Sequence, residues 1–530
     1  MKKIGTPFWK RCAIIALLII LQVGWLTTVL YQFSYQYTYA NYAIRLIAIL
    51  VVLHIVNRWI NPNNKLSWTF LILVSPVMGL LLYWTLGREG ITKSTRIKMD
   101  GYVRAAMKHT YQTPEVNQYL EQQNKTIYRQ TKYINDWSGF PVYKNTQTKY
   151  YKCGEEMFPD MICELEKATR FIFLEYYIIE AGTMFDQILE ILERKAKAGV
   201  DVRLIYDDMG SISKIPNKYY EVLRKKGIQC VAFNPFMPVL SIFMNNRDHR
   251  KILVVDGKVG FTGGINLADE YINQVERFGY WKDTGVCLKG EAVWSLTLMF
   301  LSMWDYINDT KEDMLQFRAG ERKLEDDRTE YKASIAENTI GQIEELFSDG
   351  FIQPYADSPL DSENVGETVY MNIINQSMDY LYIFTPYLII GDEMLMALCN
   401  AAKRGVDVRI VTPGIPDKKF VFIMTQSYYK PLIKNGVKIY QYRPGFLHAK
   451  SFLCDDKVAT VGSVNLDYRS LYLNFECGVY MYESNAVMEL KADCQEVFAS
   501  SDEITMEFCE NQKLGFRMFQ GILRLLAPLL

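Results

Sequence analysis

Histidine is scarce in this chain, with four among 530 residues. Any chemistry that relies on imidazole must therefore use very few of them. The ten cysteines include no Cys-x-x-Cys pair and no regular framework, which excludes a structural zinc site and a disulfide scaffold. No glycine-rich loop of the kind that cradles nucleotide phosphates is present, so a nucleotide-consuming activity is not indicated. Charge of one sign is not in excess: 59 basic and 60 acidic residues describe a folded, near-neutral protein and disfavour a nucleic-acid binder. No carboxylate cluster offers to hold a metal.

What is present is a long motif written twice. His249-Arg-Lys251-Ile-Leu-Val-Val-Asp256 continues through Gly263-Gly264 to Asn266, and His448-Ala-Lys450-Ser-Phe-Leu-Cys-Asp455 continues through Gly462-Ser463 to Asn465. The spacings agree throughout. Two of the four histidines occupy equivalent places, which composition alone does not produce. Cys454, inside the second copy, reads as a buried strand side chain rather than a nucleophile.

Ahead of the repeat lie three apolar segments. Cys12–Tyr31 carries no charge, follows a basic N-terminus and is long enough to cross a bilayer as a helix; no small-x-small site follows to mark a cleaved leader. The uncharged Tyr31–Tyr42 stretch has an aromatic at nearly every second position, which suits the membrane interface. The second segment, 43–60, contains Arg45, His54 and Arg58, read as structural, the arginines reaching to the interfaces. The third, 66–86, is broken by Pro76 and Gly79 and either spans with a kink or turns back as a re-entrant loop. The basic N-terminus and the Arg58–Lys65 connection favour the cytoplasm; a re-entrant third segment keeps the large domain there too. Residues 91–138 read as a basic juxtamembrane linker, and the basic run from Arg88 to Lys108 suits contact with anionic lipid.

From Gly139 to Ser484 the chain repeats itself. Phe171–Ile179 reads as a buried strand, followed by an amphipathic helix, the turn at Gly199 and the strand through Asp207. Tyr382–Ile390, a helix to Lys403, the turn at Gly405 and Ile410–Pro413 repeat it. This is the βαβ signature, with largely parallel sheets. The expected organisation is a membrane region over 1–90, a first α/β repeat over 139–310, a charged connector over 311–350, a second repeat over 351–500, and an apolar-basic tail over 501–530 that either docks on the protein or lies in the membrane interface.

Within each copy His and Lys are two apart, so on an extended chain they point the same way. Asp256-Gly257 then turns the chain into a hairpin whose returning strand brings the small residues and the asparagine back beside them. Two copies facing each other across a pseudo-two-fold axis give two imidazoles, two ammonium groups and two amides. That ring suits the outer oxygens of a phosphodiester as phosphorus becomes five-coordinate, with Asn266 and Asn465 as phosphate-binding amides. Two histidines also meet the needs of a double displacement. One attacks phosphorus, while the other protonates the leaving alcohol and deprotonates the incoming one.

These copies resemble the paired His-x-Lys-x4-Asp motifs of the phospholipase D superfamily, and with apolar segments ahead of them the chain resembles its bacterial cardiolipin synthases. Asp207-Asp-Met-Gly-Ser211, Trp281-Lys-Asp283-Thr, Thr385-Pro-Tyr387, Asn474-Phe-Glu476 and Leu66-Ser-Trp add to the likeness; Gly285, where many relatives carry His, departs from it. The resemblance implies two pseudo-two-fold-related phospholipase D-like α/β/α units with mixed, largely parallel sheets, preceded by membrane helices. It implies a catalytic set of His249, Lys251, Asp256, His448, Lys450 and Asp455, with His249 as nucleophile, His448 as acid/base, and the two aspartates of the motif stabilising the hairpins. Asp283 and Glu476 become the carboxylates that orient the imidazoles. The implied reaction transfers a phosphatidyl group between two phosphatidylglycerol molecules without metal or other cofactor, at the cell membrane and without nucleic acid. Water or serine as acceptor would make the same site a phospholipase or a phosphatidylserine synthase. Both motif copies are intact, which argues against an inactive scaffold. The CDP-diacylglycerol-using class is not matched either, because Asp100-Gly101 is followed by Arg and Ala in the wrong order.

Overall fold

The computed structural model of the chain describes residues 38–58, 60–87, 93–235, 245–319, 349–361 and 363–529, together with Gly24 and Thr28. The apolar segment Cys12–Tyr31, apart from those two residues, and positions 320–348 of the charged connector lie outside the described residues. Two units are distinguished, Met1–Gly90 with Pro528–Leu530, and Ile91–Ala527.

In the N-terminal unit, helix α1 (Thr38–Asn57) takes in the end of the tyrosine stretch and stops short of the expected boundary at Ile60. Its 20 residues span about 30 Å at 1.5 Å per residue, the thickness of a bilayer's hydrocarbon core. Among the described residues it is the one helix long and apolar enough to cross. The third apolar segment is built differently. Helix α2 (Pro62–Val74) ends at the non-helical Ser75, and Pro76 opens a short helix, α3 (Pro76–Leu82), that runs into a π-helical turn at Tyr83–Gly87. The two arms double back on one another. The rings of Trp68 and Tyr83 lie 5.4 Å apart, and a Cβ added to Gly79 would sit 2.5 Å from the Ile72 Cα. Glycine alone permits that approach, so of the two alternatives the segment turns back.

The second unit holds both repeats. The first sheet contains β1 (Thr146–Tyr151), β2 (Phe171–Tyr176), β3 (Asp201–Asp207), β4 (Gln229–Phe233), β6 (Lys251–Val255), β7 (Val259–Gly263) and β9 (Gly285–Gly290), in the order β1-β9-β7-β6-β2-β3-β4; the short strands β5 (Arg247–Asp248) and β8 (Tyr280–Lys282) stand apart from it. The second sheet contains β10 (Phe351–Asp357), β11 (Tyr380–Phe384), β13 (Asp407–Pro413), β14 (Lys438–Tyr442), β16 (Ser451–Cys454), β17 (Val458–Gly462), β19 (Asn474–Tyr482) and β20 (Ser501–Ile504), in the order β10-β19-β17-β16-β11-β13-β14-β20; β12 (Leu388–Ile389), β15 (Gly445–Leu447) and β18 (Leu466–Asp467) lie outside it. Helix α4 (Thr183–Lys197) crosses from β2 to β3, and helix α6 (Asp392–Lys403) follows β12 and leads to β13; helix α5 (Val293–Asn308) follows β9.

Both sheets are mixed, but within them parallel pairs are the minority. Apart from a two-residue parallel pairing of β5 with the start of β19, parallel pairing within them is confined to β2-β3-β4 and β11-β13-β14. The repeated hairpins β6-β7 and β16-β17 each put two antiparallel strands beside the βαβ unit, which corrects the expectation of largely parallel sheets. Alternation along a strand then sets the layers. Phe171 and Phe173 face a core shared by both halves, while Ile172, Leu174 and Tyr176 face the helical layer that contains α4. The shared core also takes in α5, buried from Val293 to Asp305, and the apolar side of α8 (Asn485–Ala499), which follows α7 (Lys419–Ser427) in the chain.

The stretch expected as a linker is folded. Helices Lys93–Met107, Pro114–Gln123 and Lys125–Ser138 occupy it, and Ile127, Thr131, Ile134 and Ser138, three or four apart, are all buried. Gln353 of the second half donates to the carbonyls of Thr131 and Phe140. The C-terminal stretch is also folded, into β20 and helix α9 (Leu514–Leu526).

Asp256 and Asp455 sit at the tips of the two hairpins with φ of 54° and 51°, a left-handed conformation that Asp tolerates. The Asp256 carboxylate accepts from the backbone amides of Thr169, Arg170 and Phe171 and from the Thr169 hydroxyl. Asp455 does the same for Met378, Asp379 and Tyr380. These carboxylates tie the hairpin to the start of β2 or β11, at the end of the strand remote from His and Lys. That geometry suits the hairpin-stabilising part expected of both. Asp256→Ala and Asp455→Ala are each expected to destabilise the protein by about 2–4 kcal/mol, through orphaned amides, with little change in turnover per folded molecule. Thermal midpoints measured beside specific activity check this: an unchanged midpoint with lost activity would return the aspartates to the chemistry.

Candidate active site

The two halves exchange strands at the repeated motif. β5, which leads into His249, runs parallel to the start of β19, with Arg247 opposite Asn474 and Asp248 opposite Phe475. The His249 amide then donates to the Phe475 carbonyl at 2.9 Å. β15, which leads into His448, runs parallel to β8 with Leu447 opposite Lys282, and the His448 amide donates to the Lys282 carbonyl at 2.7 Å. In each case the next residue on the partner strand is a carboxylate. Glu476 follows Phe475 and Asp283 follows Lys282, so each imidazole meets the acid of the opposite half.

His249 Nδ1 lies 2.9 Å from both Glu476 oxygens, and His448 Nδ1 lies 2.6 Å from Asp283 Oδ2. With the Nδ1 protons donated there, the other ring nitrogen, Nε2, carries the free lone pair in both residues. Glu476 also accepts from Ser470 Oγ at 2.5 Å and Asn474 Nδ2 at 3.2 Å, and Asp283 from the Thr284 amide at 2.8 Å. Lys251 and Lys450 each donate to the carbonyl of the histidine two residues earlier. Lys450 Nζ also stands 2.7 Å from His448 Nδ1. Because that nitrogen gives its proton to Asp283, this last contact is a repulsive approach of an ammonium to an N–H.

The small pair in each motif makes room for the acids. A Cβ on Gly264 would lie 2.0 Å from Asp283 Oδ1. In the second copy Ser463 stands in that place, accepting from the Cys477 amide at 3.0 Å. Aromatic rings line the imidazoles: Tyr177 beside His249 at 5.0 Å, and Trp281, Phe446 and Tyr271 around His448 at 5.4, 5.5 and 5.7 Å.

The asparagines are placed unequally. Asn266 accepts from the Ile178 amide at 3.0 Å and donates to the Tyr271 hydroxyl at 2.7 Å. The Asn465 side-chain oxygen is buried with no hydrogen-bond partner, while its backbone amide donates to Ser470 Oγ. The Asp207-to-Ser211 motif braces the first half: Asp207 accepts from the Asp248 amide just before His249, and Ser211 Oγ donates to the Tyr177 carbonyl. Tyr177 and Tyr271 carried no signal in the sequence, since isolated tyrosines beside apolar residues are common.

Burial dominates the electrostatics. It lowers both lysines, Lys251 to about 8 and Lys450 to about 7, against partial support from Glu476 and Asp283 respectively. Burial, offset in part by Glu476, lowers His249; burial together with the Lys450 charge takes His448 down to about 3. Burial alone would raise Asp283 and Glu476. Lys450 and His448 hold the first below its ordinary value, and His249 holds the second. At neutral pH the site therefore holds ionised carboxylates and neutral imidazoles, and an anion that arrives beside the lysines stabilises their charged form.

The family description "Cardiolipin synthase, PLD-like domain" matches residues 161–282 and 370–499, and "Phospholipase_D-nuclease N-terminal" matches residues 46–88. An uncharacterized protein of Streptococcus mutans is 44% identical over 90% of this chain and 99% of its own. A cardiolipin synthase of Alkalihalophilus pseudofirmus is 34% identical over 92% and 93% of the two chains, and one of Geobacillus kaustophilus 35% identical over 91% and 92%. The chain belongs to the phospholipase D-like cardiolipin synthases. Phosphatidylserine synthase from Haemophilus influenzae, 15% identical, superposes with a TM-score of 0.52 over 77% of this chain and all of that one, a likeness of fold. Within the cardiolipin synthase family a phospholipid substrate and association with a membrane follow, and α1 offers an anchor of sufficient length.

The lysine environment of this cardiolipin synthase site has a pH consequence. A lysine loses its charge as pH rises through its pKa, so kcat/KM should fall above the range set by about 7 for Lys450 and about 8 for Lys251. Lys450→Arg keeps a charge at all accessible pH and should shift that alkaline limb upward, whatever it costs in rate. A profile of kcat/KM that stays flat to about pH 9 in the unaltered enzyme would contradict the depressed lysines.

Proposed function

We propose that the chain transfers a phosphatidyl group from one phosphatidylglycerol to the primary hydroxyl of another, producing cardiolipin and glycerol. The observation that carries this is the crossed arrangement in which Glu476 orients His249 and Asp283 orients His448, leaving both Nε2 atoms unprotonated and available. With the phosphodiester bound beside the lysines, His448 first takes up a proton on Nε2 from solvent; Nε2 of His249 then attacks phosphorus, and the P–O bond to glycerol breaks as His448 passes that proton to the leaving oxygen. The phosphohistidine is then attacked by the second lipid's hydroxyl, whose proton passes to His448, and His249 is released. Lys251 and Lys450, with amide groups of Asn266 and Asn465, hold the outer phosphate oxygens as charge builds on them. The exchange of one phosphodiester for another needs no energy source.

Purified enzyme given labelled phosphatidylglycerol should yield cardiolipin and glycerol in equal amounts, and no phosphatidylserine when serine is added. Phosphatidic acid without cardiolipin would establish a hydrolase instead. His249→Ala and His448→Ala should each lower turnover by about 10³-fold or more, and near-normal activity in either would end the two-histidine mechanism.

A cytoplasmic position for the catalytic unit suits the basic N-terminus together with a third segment that returns to the face it entered. A cysteine placed at the exposed Lys218 in a Cys163→Ser background should stay unlabelled by an impermeant thiol reagent in intact cells. Labelling before lysis would put the unit outside.

A further inference from the structure

Helix α9 (Leu514–Leu526) packs one side on the protein and leaves an apolar side open. Gln520, Leu523, Arg524 and Ala527, three and four residues apart, form the inner face: Gln520 and Ala527 are buried, and Leu523 packs against the core outside the second sheet. The Arg524 guanidinium lies 4.4 Å over the Tyr428 ring and 3.3 Å from Asp392. Leu514, Met518 and Ile522 follow one another at intervals of four on the far side, exposed to 71%, 64% and 56%. A helix packed on a globular domain ordinarily shows a polar face to water. Here three large apolar side chains stand where polar ones belong.

The charges are one-sided as well. From Lys513 to Leu526 the sequence contains Lys513, Arg517 and Arg524 and no acidic residue. Helix α9 packs on α7, whose start carries Lys418, Lys419 and a Phe420 that is 66% exposed. Lys418 in turn lies 5.3 Å over the ring of Tyr387, which is 6.5 Å from Phe446, the ring beside His448. The apolar-basic surface is therefore linked through Tyr387 and the buried Phe446 to His448.

We propose that α9 and the start of α7 form a second membrane contact, lying in the plane of an anionic bilayer at the boundary of headgroups and acyl chains. Leu514, Met518, Ile522 and Phe420 enter the apolar layer; Lys513, Arg517, Lys418 and Lys419 stay at the lipid phosphates, their stems along the apolar surface. The contact holds the pocket wall at the depth where phosphodiesters lie, so a headgroup reaches the histidines without the lipid leaving the bilayer. The purpose of the contact rests on a lipid substrate, whereas its geometry does not.

The test uses the full chain in nanodiscs made with or without phosphatidylglycerol in phosphatidylcholine. Met518→Cys in a Cys163→Ser background carries an environment-sensitive fluorophore, and Lys197→Cys on α4 serves as the solvent-facing control. The expected result in phosphatidylglycerol discs is a blue-shifted emission from position 518, quenched by nitroxide high on the acyl chains and shielded from aqueous iodide, with the control doing the opposite. Quenching of position 518 by iodide alone would overturn the proposal. So would protection from both quenchers, which is what a protein partner on this face would give. Repeating the measurement with His249→Ala separates the outcome from catalysis: the signal should persist in that variant, and its loss there would also overturn the proposal.

Discussion

The fold depends on two hydrogen bonds that cross between its halves, His249 to Glu476 and His448 to Asp283. Both carboxylates are fully buried, which is costly unless each finds a cationic or donating partner. Asp283 finds His448, the Thr284 amide and the nearby charge of Lys450; Glu476 finds His249, Ser470 and Asn474. A half on its own would keep its carboxylate in the core and lose the imidazole that satisfies it. Removing one member of such a buried pair typically costs about 3–5 kcal/mol. The halves therefore function and fold as one body, with α5 and the inner side of α8 packed in a core that both sheets line.

The strand exchange that delivers these bonds is short. β5 against β19 and β8 against β15 involve two and three residue pairs, and each ends one residue before the histidine it delivers. The short exchange still orients the imidazole, because the backbone amide of the histidine is bonded to the carbonyl preceding the carboxylate that its side chain reaches. Backbone and side chain then hold the ring from two directions. The adjacent lysine closes the unit by donating to the same histidine's carbonyl, which leaves its charge in the pocket at a burial cost visible in its depressed pKa.

Much of this was legible in the sequence, and the parts that were not share a cause. The duplicated motif, the βαβ pattern and the break at Pro76 and Gly79 are local regularities, and local regularities survive in one dimension. The small pair Gly263-Gly264 could be seen but not explained, since its reason is the Asp283 carboxylate that any Cβ at Gly264 would strike. Which acid serves which imidazole depends on strands exchanged across the two halves, and no spacing records it. Residues 91–138 were read from their basic charge, although Ile127, Thr131, Ile134 and Ser138 carry a helical period that charge obscured. Largely parallel sheets are what the recognisable βαβ units suggest, while the antiparallel pairings that outnumber the parallel ones leave no such signature in the sequence.

The duplication is exact in spacing and unequal in surroundings, and the inequality is where the chemistry separates. A double displacement needs one imidazole to hold phosphorus and the other to hold a proton, so two identical sites would have no reason to divide the labour. His448 is packed by Trp281, Tyr271 and Phe446 and approached by Lys450, and it is driven down to about 3, while His249 has the ring of Tyr177 and a carboxylate that approaches with both oxygens. Asn266 is engaged by Ile178 and Tyr271, whereas the oxygen of Asn465 is buried without a partner. An imidazole kept neutral by burial and by a neighbouring ammonium gains proton affinity when an anion offsets the ammonium. A phosphodiester between Lys251 and Lys450 is such an anion. Under the proposed assignment of His448 as acid/base, the substrate itself raises the proton affinity of that imidazole, so it gains a proton when there is a leaving alcohol to protonate.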